Sequence, residues 1–274
     1  MSDQSPLIVP MTVEALVVND IFRTNGNTFV RTQMQYNAMQ MCASGQPGIS
    51  NNDTNFTLHS TSPVPPNKVP AGAFYNGVYL KWRMPEALTS GVQDNVNGTT
   101  AYPPVPNRWL IVRYSGAVGS RQVTAWIVES DYLYPGNKNP SAMNASQVAC
   151  IYVQPGNDGL TPVGVPMGRN VLLGTWSETG HKLGLTAMGP GNPAFAVYQP
   201  QNNNVFSFID CLDGQTPQTL SYLVCGWFSD PKDDPLASAT GDTFAALLQT
   251  LSWNLPPKTD PTLTATWSLL YGSV

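Results

Sequence analysis

The chain has 274 residues and a formal net charge of −4, and only 11% of its residues are charged, against about a quarter in ordinary globular proteins. Its 13 Lys and Arg form no basic run, which argues against a nucleic-acid footprint. No apolar run reaches the length of a membrane-spanning helix.

Amides, hydroxyls, 25 Pro and 23 Gly fill the balance. A surface of that kind is weakly solvated, so a neighbouring subunit or a sugar covers it at less desolvation cost than a charged one. The opening residues M-S-D-Q-S-P carry no basic stretch followed by an apolar one. No secretory leader is therefore expected, and synthesis in the cytoplasm is, with release inside a particle as an open route. Cys42, Cys150, Cys211 and Cys225 form no C-x-x-C pair and are expected to be free, buried thiols.

Residues 13–18 (V-E-A-L-V-V) read as a first strand. Residues 28–41 fit a helical face through Val30, Met34 and Met41 better than an alternating one. A long Gly-, Pro- and Asn-rich segment spans 43–72, with one short strand expected at 56–59; irregular segments of that length often bind something. Gly77–Arg83 alternates, with Val78, Leu80 and Trp82 against Tyr79, Lys81 and Arg83, so a strand with one wet face is expected. Pro85 followed by Glu86 opens a short helix that Ser90 and Gly91 end, and 93–100 reads as a polar loop.

The organising stretch is 102–132. Two runs at 109–114 and 123–128 are rich in β-branched and aromatic residues, and Gly116, Gly119 and Ser120 between them supply a turn. They predict a central hairpin, entered through prolines and closed by Glu129-Ser130-Asp131. Residues 134–166 are again turn-rich, interrupted by a strand at 148–153. Strands are also expected within 170–185, from V-L-L-G-T-W and H-K-L-G-L-T-A-M, and at 195–198, 205–209 and 220–228. The segment 229–235 must leave the sheet, because Pro231 and Pro235 cannot continue a ladder. Asp242 caps a helix over 243–251, whose Phe244, Leu247, Leu248 and Leu251 share a face. Residues 263–269 alternate as a last strand. The expected class is mostly β: a sandwich or distorted barrel of many short strands, with long loops and one or two short helices. The expected organisation is a single β-rich domain over 1–274, with 236–274 a possible helix–strand extension.

Chemistry is sparse. The two histidines, His59 and His181, have no partner at metal-ligand spacing, and no phosphate loop, dinucleotide fingerprint or nucleophile elbow occurs, so neither a metal nor a cofactor is expected. Glu129 and Asp131, with Glu178 or Asp210, are the one candidate acid/base set for a hydrolase, since glycosidases place two carboxyls about 5 to 10 Å apart. The favoured alternative has Glu129 and Asp131 accepting hydrogen bonds from Arg108, Arg113 or loop amides, with Arg108 as a structural clamp. Asp230, Asp233 and Asp234 offer oxygens to a hard cation but lack a calcium-loop spacing, which favours turn and cap roles. Of seven Trp, six fall in expected strands: 82, 109, 126, 176, 227 and 267. Most should pack the core, while Trp82, Trp109, Trp126 and Trp227 are the candidates for stacking on a sugar.

Five blocks carry a family likeness: G-V-Y-L-K-W-R-M-P-E-A-L-T-S-G, P-N-R-W-L-I-V-R, A-W-I-V-E-S-D-Y-L, G-P-G-N-P-A-F-A-V-Y-Q-P and L-S-Y-L-V-C-G-W-F-S-D-P-K-D-D-P-L. In this order, from about residue 9 to 272, they resemble the N-terminal region of a family of very large uncharacterised microbial proteins. The first block there reads nearer H-L-H-W-x-L-P-D-A-L-T; Tyr79-Leu80-Lys81-Trp82 lacks both histidines. The resemblance lends no catalytic residue and implies a module of something larger. Three functions are therefore expected in descending order: a non-enzymatic assembly subunit of a phage-tail-like or capsid-like particle, contacting other protein subunits or its own copies; a carbohydrate-binding module; and a hydrolase using Glu129 and Asp131.

Overall fold

A computed structural model describes residues 6–20, 76–94, 96, 98–117, 119–134, 150–155, 162–180, 183–187, 204–212, 219–237, 242–251, 253 and 265–274. The expectations over 28–41, 43–72 and 195–198 lie outside the described residues. The fold is mostly β, as the composition and turn spacing predict. Twelve strands are described: β1 Leu7–Pro10, β2 Thr12–Val18, β3 Gly77–Arg83, β4 Val92–Asp94, β5 Thr99–Ala101, β6 Arg108–Ser115, β7 Gln122–Leu133, β8 Cys150–Pro155, β9 Pro162–Leu172, β10 Ser207–Asp210, β11 Leu220–Trp227 and β12 Ser268–Ser273. Two α-helices join them, α1 Glu86–Thr89 and α2 Asp242–Thr250. No helix among the described residues is long and apolar enough to cross a membrane.

A seven-stranded sheet runs in the order β1-β12-β11-β6-β7-β9-β8, and a three-stranded sheet in the order β10-β3-β2. Neither closes on itself, so the sandwich form of the expected class is the one adopted. The hairpin β6–β7 sits at the centre of the large sheet, Arg108 opposite Glu129 and Ser115 opposite Gln122. Apolar side chains of both sheets share one core: Val78, Leu80, Trp82 and Phe208 from the small sheet meet Trp109, Ile111, Trp126 and Val224 from the large one. Aromatic pairs bridge the layers, Trp82 against Trp109 at 5.2 Å and Trp126 against Phe208 at 5.0 Å, in the tilted geometry that ring quadrupoles prefer. Gly226 lies opposite Trp109 on the neighbouring strand, and a side chain there would overlap the indole.

The first strand pair closes one side of the sandwich. β1 pairs parallel with β12, the chain turns at Met11, whose N–H donates to the Tyr271 carbonyl at 2.8 Å, and β2 continues antiparallel to β3 in the other sheet. Gly272 makes this crossing possible: a Cβ there would lie 2.5 Å from Val13 Cγ2 and 2.7 Å from the Met11 carbonyl oxygen.

Several local expectations need correction. Residues 93–100 are not a plain loop; β4 and β5 form a small ribbon, with Val92 opposite Ala101 and Gly98 taking φ +66° in its turn. Within the turn-rich 134–166, residues from 162 onward belong to β9. Its prolines fall where β9 has run past the β7 ladder, which ends at Met167, and pairs only with β8, where a missing N–H costs least. V-L-L-G-T-W does not stay extended: after Leu172 a 3-10 turn spans Leu173–Thr175, and the Thr175 hydroxyl donates to the Leu172 carbonyl at 3.0 Å, a local bond that competes with the ladder. Of the next run, residues 183–187 are described, and among them a single bridge occurs, Pro104 to Thr186. Trp176 and Trp267 therefore lie outside the strands. Of the expected last strand 263–269, residues 263–264 lie outside the described residues and 265–267 are not extended; β12 begins at Ser268, where Asp234 accepts from both the Ser268 N–H and its hydroxyl. The outer face of β3 is less wet than expected: Tyr79 is buried with Val18 and Ile209 in a second small cluster, and burial depresses the pKa of half-buried Lys81, against the raising effect of Glu14.

Candidate functional site

Opposed residues of an antiparallel pair share a face, and alternate residues along a strand return to it. These two rules sort the central hairpin. Trp109, Ile111, Arg113 and Ser115 of β6 face the small sheet; Arg108, Leu110, Val112 and Tyr114 face away from it. The two arginines of one strand thus end on opposite sides of the large sheet, each with its own carboxylates.

On the outer side one cross-strand row reads Trp227, Arg108, Glu129, Arg169. Arg108, Glu129 and Asp131 are all at 0% exposure. Arg108 Nη1 donates to Asp131 Oδ1 at 2.5 Å and to the Asn107 carbonyl at 2.9 Å. Its Nε and Nη2 donate to Glu178, the latter at 2.7 Å, and Nη2 also to the Gly180 carbonyl at 3.0 Å. Glu129 is 4.0 Å from Arg108 and accepts from Arg169 Nε, from Trp176 Nε1 at 3.2 Å and from the Thr179 hydroxyl at 3.0 Å. Asp131 Oδ2 takes Asn107 Nδ2 at 3.0 Å, and Asn107 also holds Ser229. The segment that follows β9 is thereby strapped over the arginine by polar contacts.

Burial alone would lower the Arg108 pKa, but hydrogen bonds and charge from Glu178 and Asp131 outweigh it and raise it. Burial would raise the Glu178 pKa, yet the hydrogen bonds from Arg108 and from the Gly180 and Thr179 amides hold it below its ordinary value. Every oxygen of Glu129 and Asp131 has at least one donor. Carboxylates enclosed and held on every oxygen by fixed donors serve architecture well and proton transfer poorly. Arg113 does not contribute here, and neither does Asp210.

Those two form the second cluster, between the sheets. Arg113 Nη1 donates to both oxygens of Asp210, at 2.9 and 2.8 Å; the Tyr222 hydroxyl donates to Asp210 Oδ2 at 2.8 Å, and the Leu212 N–H to Oδ1 at 2.9 Å. Nη2 donates to the Thr124 hydroxyl, and the guanidinium sits 5.2 Å from the Trp126 ring. Burial first, then the neighbouring Asp210, pushes the Tyr222 hydroxyl pKa far above its usual value. The signal for this pair was present in the strand: once Trp109 and Ile111 face the core, Arg113 must as well, and a buried guanidinium needs a carboxylate.

Of the four candidate sugar-stacking aromatics, Trp82, Trp109 and Trp126 are enclosed in the core and present no ring face. Trp227 is half-buried on the outer side. Asp230 accepts from the Lys232 N–H and opens a 3-10 turn over Pro231–Asp233; Asp234 is buried and accepts from Leu236 and Ser268. Among the described residues no group of three or more His, Cys, Asp or Glu could hold a metal ion.

The remaining outer side of the large sheet was not singled out by the sequence. The row Pro10, Tyr271, Cys225, Leu110, Ile127, Val171 crosses six strands, and Leu223, Val112, Ala125 form the row beside it. Both rows are uncharged. Ile127 and Val112, at the centre of these rows, are buried at 2% and 8% exposure, whereas Ile8 at 61%, Tyr271 at 41% and Val123 at 60% are exposed toward the margins of the same face, although the outer face of a sandwich is normally polar. The missing alternation in W-L-I-V and A-W-I-V is the signal for it: strands apolar on both faces read as continuous runs. Comparison with protein-family models, curated proteins and solved structures finds no match to this chain.

Proposed function

We propose that the chain is a non-enzymatic structural module of a multi-subunit particle, of the tail-like or capsid-like kind, with the outer face of the large sheet as its contact surface. The observation that carries this is the apolar outer face, with Ile8, Val123 and Tyr271 exposed on it. Large apolar side chains exposed on a sheet face that is ordinarily polar suit burial against a partner. The enclosed, donor-saturated state of Glu129 and Asp131 supports the same reading against a hydrolase. So does the resemblance of its five sequence blocks to the N-terminal region of very large microbial proteins, which implies a module of something larger.

The test is sedimentation velocity and electron microscopy of the protein and of its native complexes, compared with Tyr271→Lys and Val123→Lys. Loss of assembly in the variants at unchanged melting temperature is expected. A protein that remains monomeric at high concentration and enters no complex in its source overturns the reading. A second reading rests on Trp267 and Tyr271, 38% and 41% exposed, with half-buried Trp227 on the neighbouring strand: exposed aromatic rings can stack on a sugar, and a glycan array without hits removes it.

A further inference from the structure

Among the described residues, nothing pairs with the outer side of β2, the last strand of the small sheet. β2 pairs with β3 on one side only, from Thr12 opposite Arg83 to Val18 opposite Gly77, with no register shift. No backbone hydrogen bond among the described residues reaches its other side. Natural edges are blunted by shortness, by Lys or Pro, or by a bulge. The other edges of the two sheets follow that rule: β1 and β10 have 4 residues each, β1 ending on Pro10, and β8 ends on Pro155. β2 has 7 residues, T-V-E-A-L-V-V, without Pro, Lys or bulge, and Val17 on it is 57% exposed.

We infer that β2 is a self-association edge: two copies of this chain pair β2 with β2 antiparallel about a two-fold axis through Ala15. A row of open backbone N–H and C=O groups is hydrated in the monomer and is a template for another extended strand, which meets all of them at once. The strand's own sequence fits itself in that register. Val13 then stands opposite the copy's Val17, Glu14 opposite Leu16, and Ala15 opposite Ala15. Glu14, the single charged residue of β2, does not face its equivalent, which would be destabilising. Small Ala15 lies on the axis, where the closest approach of like side chains occurs, and Val17 gains an apolar neighbour. The result is a continuous six-stranded sheet built from two copies of β10-β3-β2. Such an isologous edge, used together with a separate outer-face contact, propagates beyond a dimer. The inference thus deepens the assembly reading and rests on it only for that last step.

An edge contact alone is smaller than the roughly 1,600 Å² of a standard interface, so the dimer should be weak, with a dissociation constant of about tens of micromolar. Sedimentation velocity of the full chain over about 1 to 200 μM should show a monomer–dimer equilibrium. Val17→Lys, at an exposed position, should weaken it about ten-fold or more through the lost valine contact and the added charge, with an unchanged circular dichroism spectrum. Ala15→Cys should give a covalent dimer on mild oxidation, above the background of the native cysteines, and Thr12→Cys, which does not meet itself across the axis, should not. A monomer throughout the range, or a dimer indifferent to Val17→Lys whose Ala15→Cys form does not cross-link, overturns the inference. Tyr271→Lys separates it from the outer-face reading: an assembly lost in that variant but insensitive to Val17→Lys leaves the outer-face contact standing without the edge, and the reverse pattern leaves the edge alone.

Discussion

Replacing Arg113 by Met tests the inter-sheet ion pair. Arg113 supplies two of the four hydrogen bonds made to Asp210, and Tyr222 and Leu212 supply the others. Both charged residues are nearly inaccessible, at 4% and 3% exposure. Removing one partner of a buried pair costs about 3–5 kcal/mol, because the other charge is left uncompensated. Asp210 keeps two donors, so the lower end applies, about 3 kcal/mol. At this chain length that corresponds to a fall in melting temperature of about 6–12 °C. Urea unfolding followed by tryptophan fluorescence measures it, with Trp126 beside the guanidinium as a built-in probe. In a double-mutant cycle with Asp210→Asn the coupling should reach about 2 kcal/mol, since each single change removes the same charge pair. A cost below about 1 kcal/mol for Arg113→Met, or an additive cycle, would show that the pair behaves like a solvated surface bridge and would refute the reasoning.

Three further outcomes are expected. Glu178 has its pKa held below 4.5, so the stability it contributes is complete above that pH and is lost as pH falls through the depressed value; Glu178→Gln should flatten the acid limb of a melting-temperature profile, and an identical limb in both proteins would contradict the strap contact. Tyr222 has its pKa raised above 10.0, so its contribution is full below pH 10.0 and declines as pH rises beyond it; Tyr222→Phe should cost about 1.5–3 kcal/mol at neutral pH, as loss of a bond to a charged acceptor does, and should weaken the alkaline dependence measured by denaturant titration. Gly226→Ala should destabilise by about 1–3 kcal/mol through overpacking against the Trp109 ring, read as a lower urea midpoint at an unchanged m-value; a neutral result would mean that the indole has room to shift.

Much of the strand inventory was legible. Gly77–Arg83, the β6–β7 hairpin and Leu220–Trp227 stood out because β-branched and aromatic runs between turn residues have few other uses. The departures are equally physical. Residues 93–100 and the proline-bearing start of β9 pair because a neighbouring strand supplies the bonds, not because their side chains favour extension. Residues after Leu172 leave the sheet because a threonine hydroxyl competes locally. Of the candidate site residues, Arg108, Glu129 and Asp131 do lie together, yet the partner that covers them, Glu178, lies 70 positions from Arg108 in the chain.

Composition and local pattern alone determined the β class, the central hairpin and the scarcity of charge, because these depend on residue types and near neighbours. Which arginine meets which carboxylate, and which rings are hidden, was settled only when the strands took their places. A single residue of register moves every side chain to the opposite face, and that register comes from the whole sheet. The same tertiary pairing put apolar residues on both sides of one sheet and, among the described residues, left one side of β2 unpaired, the two features on which the functional reading stands.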